Sequence, residues 1–256
     1  MLAMSPGGAT RFATALAAHV AEAHFKVSEV ALKVVLACIQ DATLAQHLSS
    51  HLPLLLPPIL SGLVSQKGSL RALSNECLNE CRSMFDPNSL AAVLCAKFNE
   101  CNDRVKPGAL ELLATIAPAS SQYFGQVTNL RVMLSRMAGL LGSRPAPTGQ
   151  LLNGIEHLMN AFLHLGEDTF VASVSNLTAD AQNVVKKVLQ TSGICPEIEE
   201  RVVFHLRGEK WDGRGRHEYG AAGPNEVRAH ACAPRKQCGQ RMRNLRASCS
   251  EWTSAL

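Results

Sequence analysis

Apolar residues recur at helical spacing through most of this chain, and short polar turns interrupt them at regular intervals. Between residues 101 and 118 a polar turn precedes Val105, Ala109, Leu110, Leu112, Leu113 and Ile116, which share one face of a 3.6-residue period. Residues 24–40 have the same plan. With Val27 aligned to Val105, Ala31 and Leu32 fall on Ala109 and Leu110, and Lys26 and Lys106 flank the aligned valines. Two helices cut from one template predict a repeat protein.

The same reading extends along the chain. Helices are expected over residues 9–23 and 27–39. In the second, Val27, Val30, Ala31, Val34, Val35 and Cys38 form a stripe wide enough to predict packing on more than one side. Residues 40–50 lose the pattern. A helix then opens at LPLLLPPILSGLVSQ, with Pro53, Pro57 and Pro58 expected before or within its first turn, where a missing N–H costs nothing. Leu70, Leu73, Cys77, Leu78 and Cys81 mark the next helix, and Asp86-Pro87-Asn88 is capping chemistry for one reaching about residue 99. Pro107 falls in the first turn after Val105. Further helices are expected over 123–141, 150–165, 168–175 and 179–191. Turns that precede a second helix start near 24, 67, 102, 143 and 177, at intervals of roughly 43, 35, 41 and 34 residues, which suit stacked helix pairs. The expected fold is all-α: an α-solenoid of about five HEAT-type helix pairs over residues 9–205, followed by a poorly structured tail over 209–256.

Composition agrees with aliphatic helix packing, since aromatic residues are only 5% and no convincing alternating strand occurs. Charge separates the two regions. Residues 1–208 carry 16 Lys/Arg and 16 Asp/Glu, whereas 209–256 carry 9 and 5, so the formal net charge of +4 resides in the tail. The tail also lacks Ile and Phe, holds both tryptophans, and is too poor in apolar residues to offset chain entropy. The body is balanced, so an acidic partner must meet a local patch, and nucleic acid is not an expected partner. No signal peptide is expected at MLAMSPGGATRF, and the apolar run at 52–64 is proline-interrupted and too short to span a bilayer, so no membrane partner is expected either.

Nine cysteines are scattered without a secreted framework, and Cys38, Cys77, Cys81 and Cys95 fall among helical apolar positions, where a free thiol acts as a small hydrophobe in a reducing cytosol. Cys77 and Cys81, one helical turn apart, are therefore expected to be buried thiols and not half a metal site. His230, Cys232 and Cys238 lack a second well-spaced pair for zinc. His157 and His164 are expected at the surface or core edge of their helix, and Cys195-Pro196 in a loop. The sequence has no P-loop, GxSxG, HExxH or dinucleotide loop, so neither an enzyme nor a cofactor or metal is expected.

What recurs is basic charge at the turns. Lys26, then Lys67 and Arg71, then Arg104 and Lys106, then Arg144 lie where a solenoid aligns its intra-pair turns along one edge, and together they predict a basic strip for an acidic protein surface. The neighbouring acids Glu22, Glu76, Asp103 and Glu111 are fewer. HFKVSEVALKVVLACIQ, LPLLLPPILSGLVSQKGSLRALSNECLNEC and NDRVKPGALELLATIAP resemble the HEAT repeats of TOG domains, especially those of the CLIP-associating proteins (CLASPs). The resemblance spans about residues 10–205 and is strongest over 24–118. It implies an armadillo-like helical module whose intra-repeat turns bind tubulin or microtubules, with a cytoplasmic role in microtubule stabilisation and spindle organisation; other cytoskeletal proteins are further candidate partners. By position the contact residues would be His24, Phe25, Lys26, Lys67, Arg71, Arg104, Lys106 and Arg144. The alternative expectation is a HEAT scaffold that docks another protein through its helices, indifferent to those turns.

Overall fold

The computed structural model describes residues 6–142 and 148–192. The chain divides into two units, residues 1–211 and 212–256, and every described residue belongs to the first. Among the described residues there are twelve α-helices, two short 3-10 segments and no strand. The expectations for the tail, for residues 193–205, and for Arg144, Cys195, His230, Cys232 and Cys238 lie outside the described residues.

Ten of the helices form five consecutive pairs: α1 (Pro6–Val20) with α2 (Phe25–Gln40), α4 (Leu52–Gly62) with α5 (Gly68–Met84), α6 (Pro87–Lys97) with α7 (Lys106–Ile116), α9 (Val127–Gly142) with α10 (Gly149–Leu165), and α11 (Glu167–Ser175) with α12 (Ala179–Ser192). Like packs on like. First helices meet in the series α1, α4, α6 and again as α9 with α11, while among second helices α2 lies on α5 and α7 on α10. The result is an all-α solenoid with one continuous apolar core running from Ala13 to Leu189. Val105, Ala109, Leu110, Leu113 and Ile116, the repeat template, are all buried in it. The Val, Leu and Ile side chains among them each contribute roughly 1.5–3 kcal/mol through burial, several times their helix propensity, so stacking outweighs local preference. No helix among the described residues is long and apolar enough to cross a membrane.

Four local expectations are corrected. Residues 40–50 are not patternless: α3 (Ala42–Ser49) is started by Asp41, whose carboxylate accepts from the N–H of Thr43 at 2.9 Å and Leu44 at 3.0 Å, and it buries Ala45 and Leu48. Its single turn-and-a-half of apolar spacing is too short to stand out by period. Pro57 and Pro58 lie inside α4, past its first turn. Both sit at half-exposed positions, where the carbonyls of Pro53 and Leu54, deprived of an N–H donor, can be met by water. The helix expected over 123–141 is two helices, because α8 (Ser121–Phe124) is held separately: Ser120 Oγ donates to the Pro87 carbonyl at 2.9 Å, the Tyr123 N–H donates to Asn88 Oδ1 at 3.0 Å, and Phe124 is buried against Phe162 with ring centroids 4.7 Å apart. Finally, α1 stops at Val20, three residues early, since Ala21 to His24 are used in the turn.

The α7–α10 seam is closed by an absent side chain. A β-carbon at the buried Gly154 would lie 3.1 Å from Leu110 Cβ and 3.5 Å from the Pro107 carbonyl oxygen, neither of which is the free end of a flexible chain. Gly154→Val should therefore force α10 off α7 and lower unfolding stability by about 1–3 kcal/mol, the usual scale of overpacking. Urea titration of the full chain reads this as a lower midpoint at unchanged slope. An unshifted midpoint would show that the seam has slack.

Candidate functional site: the turn edge

Of the four intra-pair turns that carry the predicted strip, three are fully described, and each is built by its own polar device. In the first, the buried Ser28 hydroxyl donates to the Glu22 carbonyl at 2.7 Å and the Val27 N–H to the His24 carbonyl at 2.9 Å, which turns the chain tightly from α1 into α2. His24 then stands exposed at the start of α2, its ring stacked with that of Phe25 at 5.9 Å. In the second turn, Arg71 reaches back so that Nη1 donates to the Ser65 carbonyl at 2.7 Å, and the Lys67 N–H donates to Ser65 Oγ at 3.2 Å. In the third, the Asn102 side chain accepts from the Arg104 N–H at 3.0 Å, an Asx-type closure, and Lys106 Nζ pairs with Asp103 Oδ1 at 2.7 Å.

These turns are neighbours in space. Lys67 Nζ sits 5.0 Å from the centroid of the Phe25 ring, a cation–π contact that ties the second turn to the first. A β-carbon at Gly108, in the first turn of α7, would lie 2.6 Å from Leu63 Cδ1, so the second turn also abuts the third. Phe25, Lys67 and the start of α7 thus follow one another along one edge.

The predicted residues differ in what they can offer. His24, Lys26, Lys67, Arg71 and Arg104 are exposed. Arg71 is held against its own turn, and Lys106 is only 14% exposed at its side chain and already paired with Asp103, so the sign of the strip at that point is largely neutralised. Of the four acids near the turns, Asp103 is used by Lys106, Glu111 lies 3.0 Å from His157 Nδ1, and Glu22 accepts from the Ala23 N–H. That leaves Lys26, Lys67 and Arg104 as the accessible basic positions.

One feature of this edge was not expected. Val27, Val30 and Val34, read as part of a packed stripe on α2, are 39%, 61% and 38% exposed. The buried residues of α2 are instead Ser28, Ala31, Leu32, Val35, Cys38 and Ile39, since α1 and α5 cover only one flank. The uncovered valines, with Leu16 and His19 of α1 and His24 and Lys26 of the turn, line an open apolar groove of about 430 Å³. A width of stripe exceeding what two neighbours can cover was the signal; which half stays open depends on packing.

Four of the described cysteines are buried thiols: Cys38, Cys77, Cys81 and Cys95. Cys77 and Cys81 are buried, with Cys77 Sγ donating to the Leu32 carbonyl across the α2–α5 seam at 3.5 Å, and Cys95 Sγ lies 3.9 Å from Met133 Sδ. Burial pushes the thiols of Cys77 and Cys81 up to about 12 and that of Cys95 to about 11, the nearby carboxylates of Glu76 and Glu80 adding to the effect at Cys77. Such thiols are poor nucleophiles near neutral pH. Among the described residues no three His, Cys, Asp or Glu side chains are placed to hold a metal ion. His157 and His164 are both exposed on α10. No family model matches the chain, and no curated protein matches it.

The thiols make a pH prediction whose sign is fixed by their direction. A thiol that keeps its proton in the folded chain but loses it above about 9 when unfolded costs stability as pH rises. Stability should therefore hold up to about pH 8 and fall above 9, by about 1.4 kcal/mol per pH unit for each of Cys77, Cys81 and Cys95 until its folded-state value is reached. Urea midpoints taken between pH 8 and 10.5 test this; a flat profile would mean that these thiols titrate normally in the fold.

Proposed function

We propose that the chain is a non-catalytic tubulin- or microtubule-binding module, acting at the cytoplasmic cytoskeleton in microtubule stabilisation and spindle organisation. The observation that carries the reading is the contiguous turn edge, where Phe25 is clamped beneath Lys67 and the exposed Lys26 and Arg104 have no carboxylate partner among the described residues. An aromatic face flanked by unpaired cations suits an acidic protein surface, since the ring supplies rigid contact area and the cations steer the encounter. The resemblance of residues 24–118 to TOG-domain HEAT repeats supports tubulin as that surface. His24, Phe25, Lys26, Lys67 and Arg104 are the contact residues in this reading; Arg71 and Lys106 act mainly by shaping their turns, and Arg144 completes the row by sequence position.

A second reading has an observation of its own. The open groove of Val27, Val30 and Val34 is apolar over most of its lining and suits a helix laid against α1 and α2, as a protein-docking scaffold would require.

Charge reversal separates the two. Lys67→Glu together with Arg104→Glu should weaken co-sedimentation with microtubules at least tenfold at low salt, about 1.4 kcal/mol, with a smaller loss at high salt as screening removes the electrostatic share. Val30→Glu should leave co-sedimentation intact. A bound fraction unchanged by the double reversal, or no binding by the unaltered chain at low salt, would retire the tubulin reading in favour of the scaffold.

A further inference from the structure

At the last intra-pair turn, α9 and the α11–α12 turn form an open recess of about 350 Å³, lined by Arg131, Val132, Ser135, Arg136, Asn176, Leu177 and Thr178. Its position follows from the register of α11 on α9. Ser173 Oγ donates to the Thr169 carbonyl at 2.7 Å and lies 3.3 Å from the Val127 carbonyl oxygen, which places the end of α11 against the start of α9. The turn that follows then falls about one helical turn further along α9, level with the polar face that carries Arg131 and Ser135.

The lining is rich in donors and poor in acceptors. Arg136 is half-buried and donates through Nη1 to the Cys95 carbonyl, a bond that fixes its guanidinium in place. Arg131 is exposed, and neither arginine takes part in the ion pairs found among the described residues. Asn176 commits Nδ2 to the Ala172 carbonyl at 2.8 Å, and an amide nitrogen carries two protons, so one is left. Thr178 Oγ1 lies 3.4 Å from the Ala181 nitrogen and accepts from it, which leaves the hydroxyl proton free to donate. Two arginines thus line the recess with three polar side chains and, among the described residues, no carboxylate.

We propose that this recess binds a phosphate group, carried on a phosphorylated serine or threonine of a peptide segment. A phosphomonoester presents three strong acceptor oxygens and close to two negative charges, which matches donors converging from a helix and from a turn better than the two coplanar oxygens of a carboxylate do. Arginine is suited to this role because its planar guanidinium can give two parallel N–H bonds to one phosphate. The volume and the two apolar walls, Val132 and Leu177, favour a peptide over a free ion: Val132 is 39% exposed and offers contact for a residue flanking the phosphate. The proposal does not depend on the tubulin reading.

The test uses the full chain, amide-resolved NMR titration, and three probes: the blocked peptide acetyl-Ala-Leu-phosphothreonine-Val-amide, its unphosphorylated twin, and inorganic phosphate. The phosphopeptide should shift the amides of Arg131, Ser135 and Thr178, and bind at least tenfold more tightly than inorganic phosphate, while the unphosphorylated twin leaves those signals in place. Arg131→Gln, at an exposed position that should not disturb folding, should weaken the phosphopeptide at least tenfold with the remaining spectrum unchanged. Lys67→Glu, far along the turn edge, should not weaken it. Equal or tighter binding of inorganic phosphate would mean an adventitious ion only. Shifts by the unphosphorylated twin, absence of localised shifts, or undiminished binding by Arg131→Gln would each overturn the proposal.

Discussion

No helix pair in this chain can bury its own apolar face, and that constraint governs the rest of the structure. A pair of helices has one shared seam and two outer flanks; only a neighbour on each flank excludes water from the remaining apolar residues. Here α2 lies on α5 and α7 on α10, while α1, α4 and α6 stack beside them, so one core runs from Ala13 to Leu189. The seams close to the limit that side chains permit. Gly154 admits α10 to Leu110, and Gly62 admits α4 to the buried Ser74, whose hydroxyl oxygen an added β-carbon would overlap.

Stacking also arranges the chemistry. Because pairs repeat in the same orientation, their turns are delivered to one edge without any turn needing to recognise the next. Local polar bonds then decide what each turn displays. Ser28 latches the first, Ser65 receives Arg71 in the second, and Asn102 closes the third. A consequence is that basic residues either side of Val105 have different fates: Arg104 projects into solvent, whereas Lys106 is drawn down onto Asp103. Where a turn touches its neighbour, as Lys67 does through the ring of Phe25, the contact is worth about 0.5–1 kcal/mol at an exposed site, enough to bias orientation but not to build the fold.

The same stacking explains the open groove on α2. At α2 the seams with α1 and α5 cover residues Ala31, Leu32, Val35 and Ile39, and the valines one step round the helix stay in water. Three of the seven large exposed hydrophobics of the described residues gather there, whereas the other four are dispersed.

By itself the sequence determined the class of the fold, the five pairs, the placement of the turns and the template residues Val105, Ala109, Leu110, Leu113 and Ile116, because helical periodicity and turn chemistry are local and repeat at readable intervals. Asp86 at the head of α6 and Pro107 in the first turn of α7 were legible for the same reason. Only the tertiary structure decided that residues 42–49 are helical, that Phe124 belongs to a separate helix, that Pro57 and Pro58 are tolerated within α4, and that Val27, Val30 and Val34 are uncovered. Each of those outcomes turns on which neighbour lies against a given flank. The same is true of the candidate sites: a sequence can place Lys67 and Phe25, or Arg131 and Thr178, in turns and on helix faces, but their meeting depends on the register of one pair against the next, which no local pattern encodes.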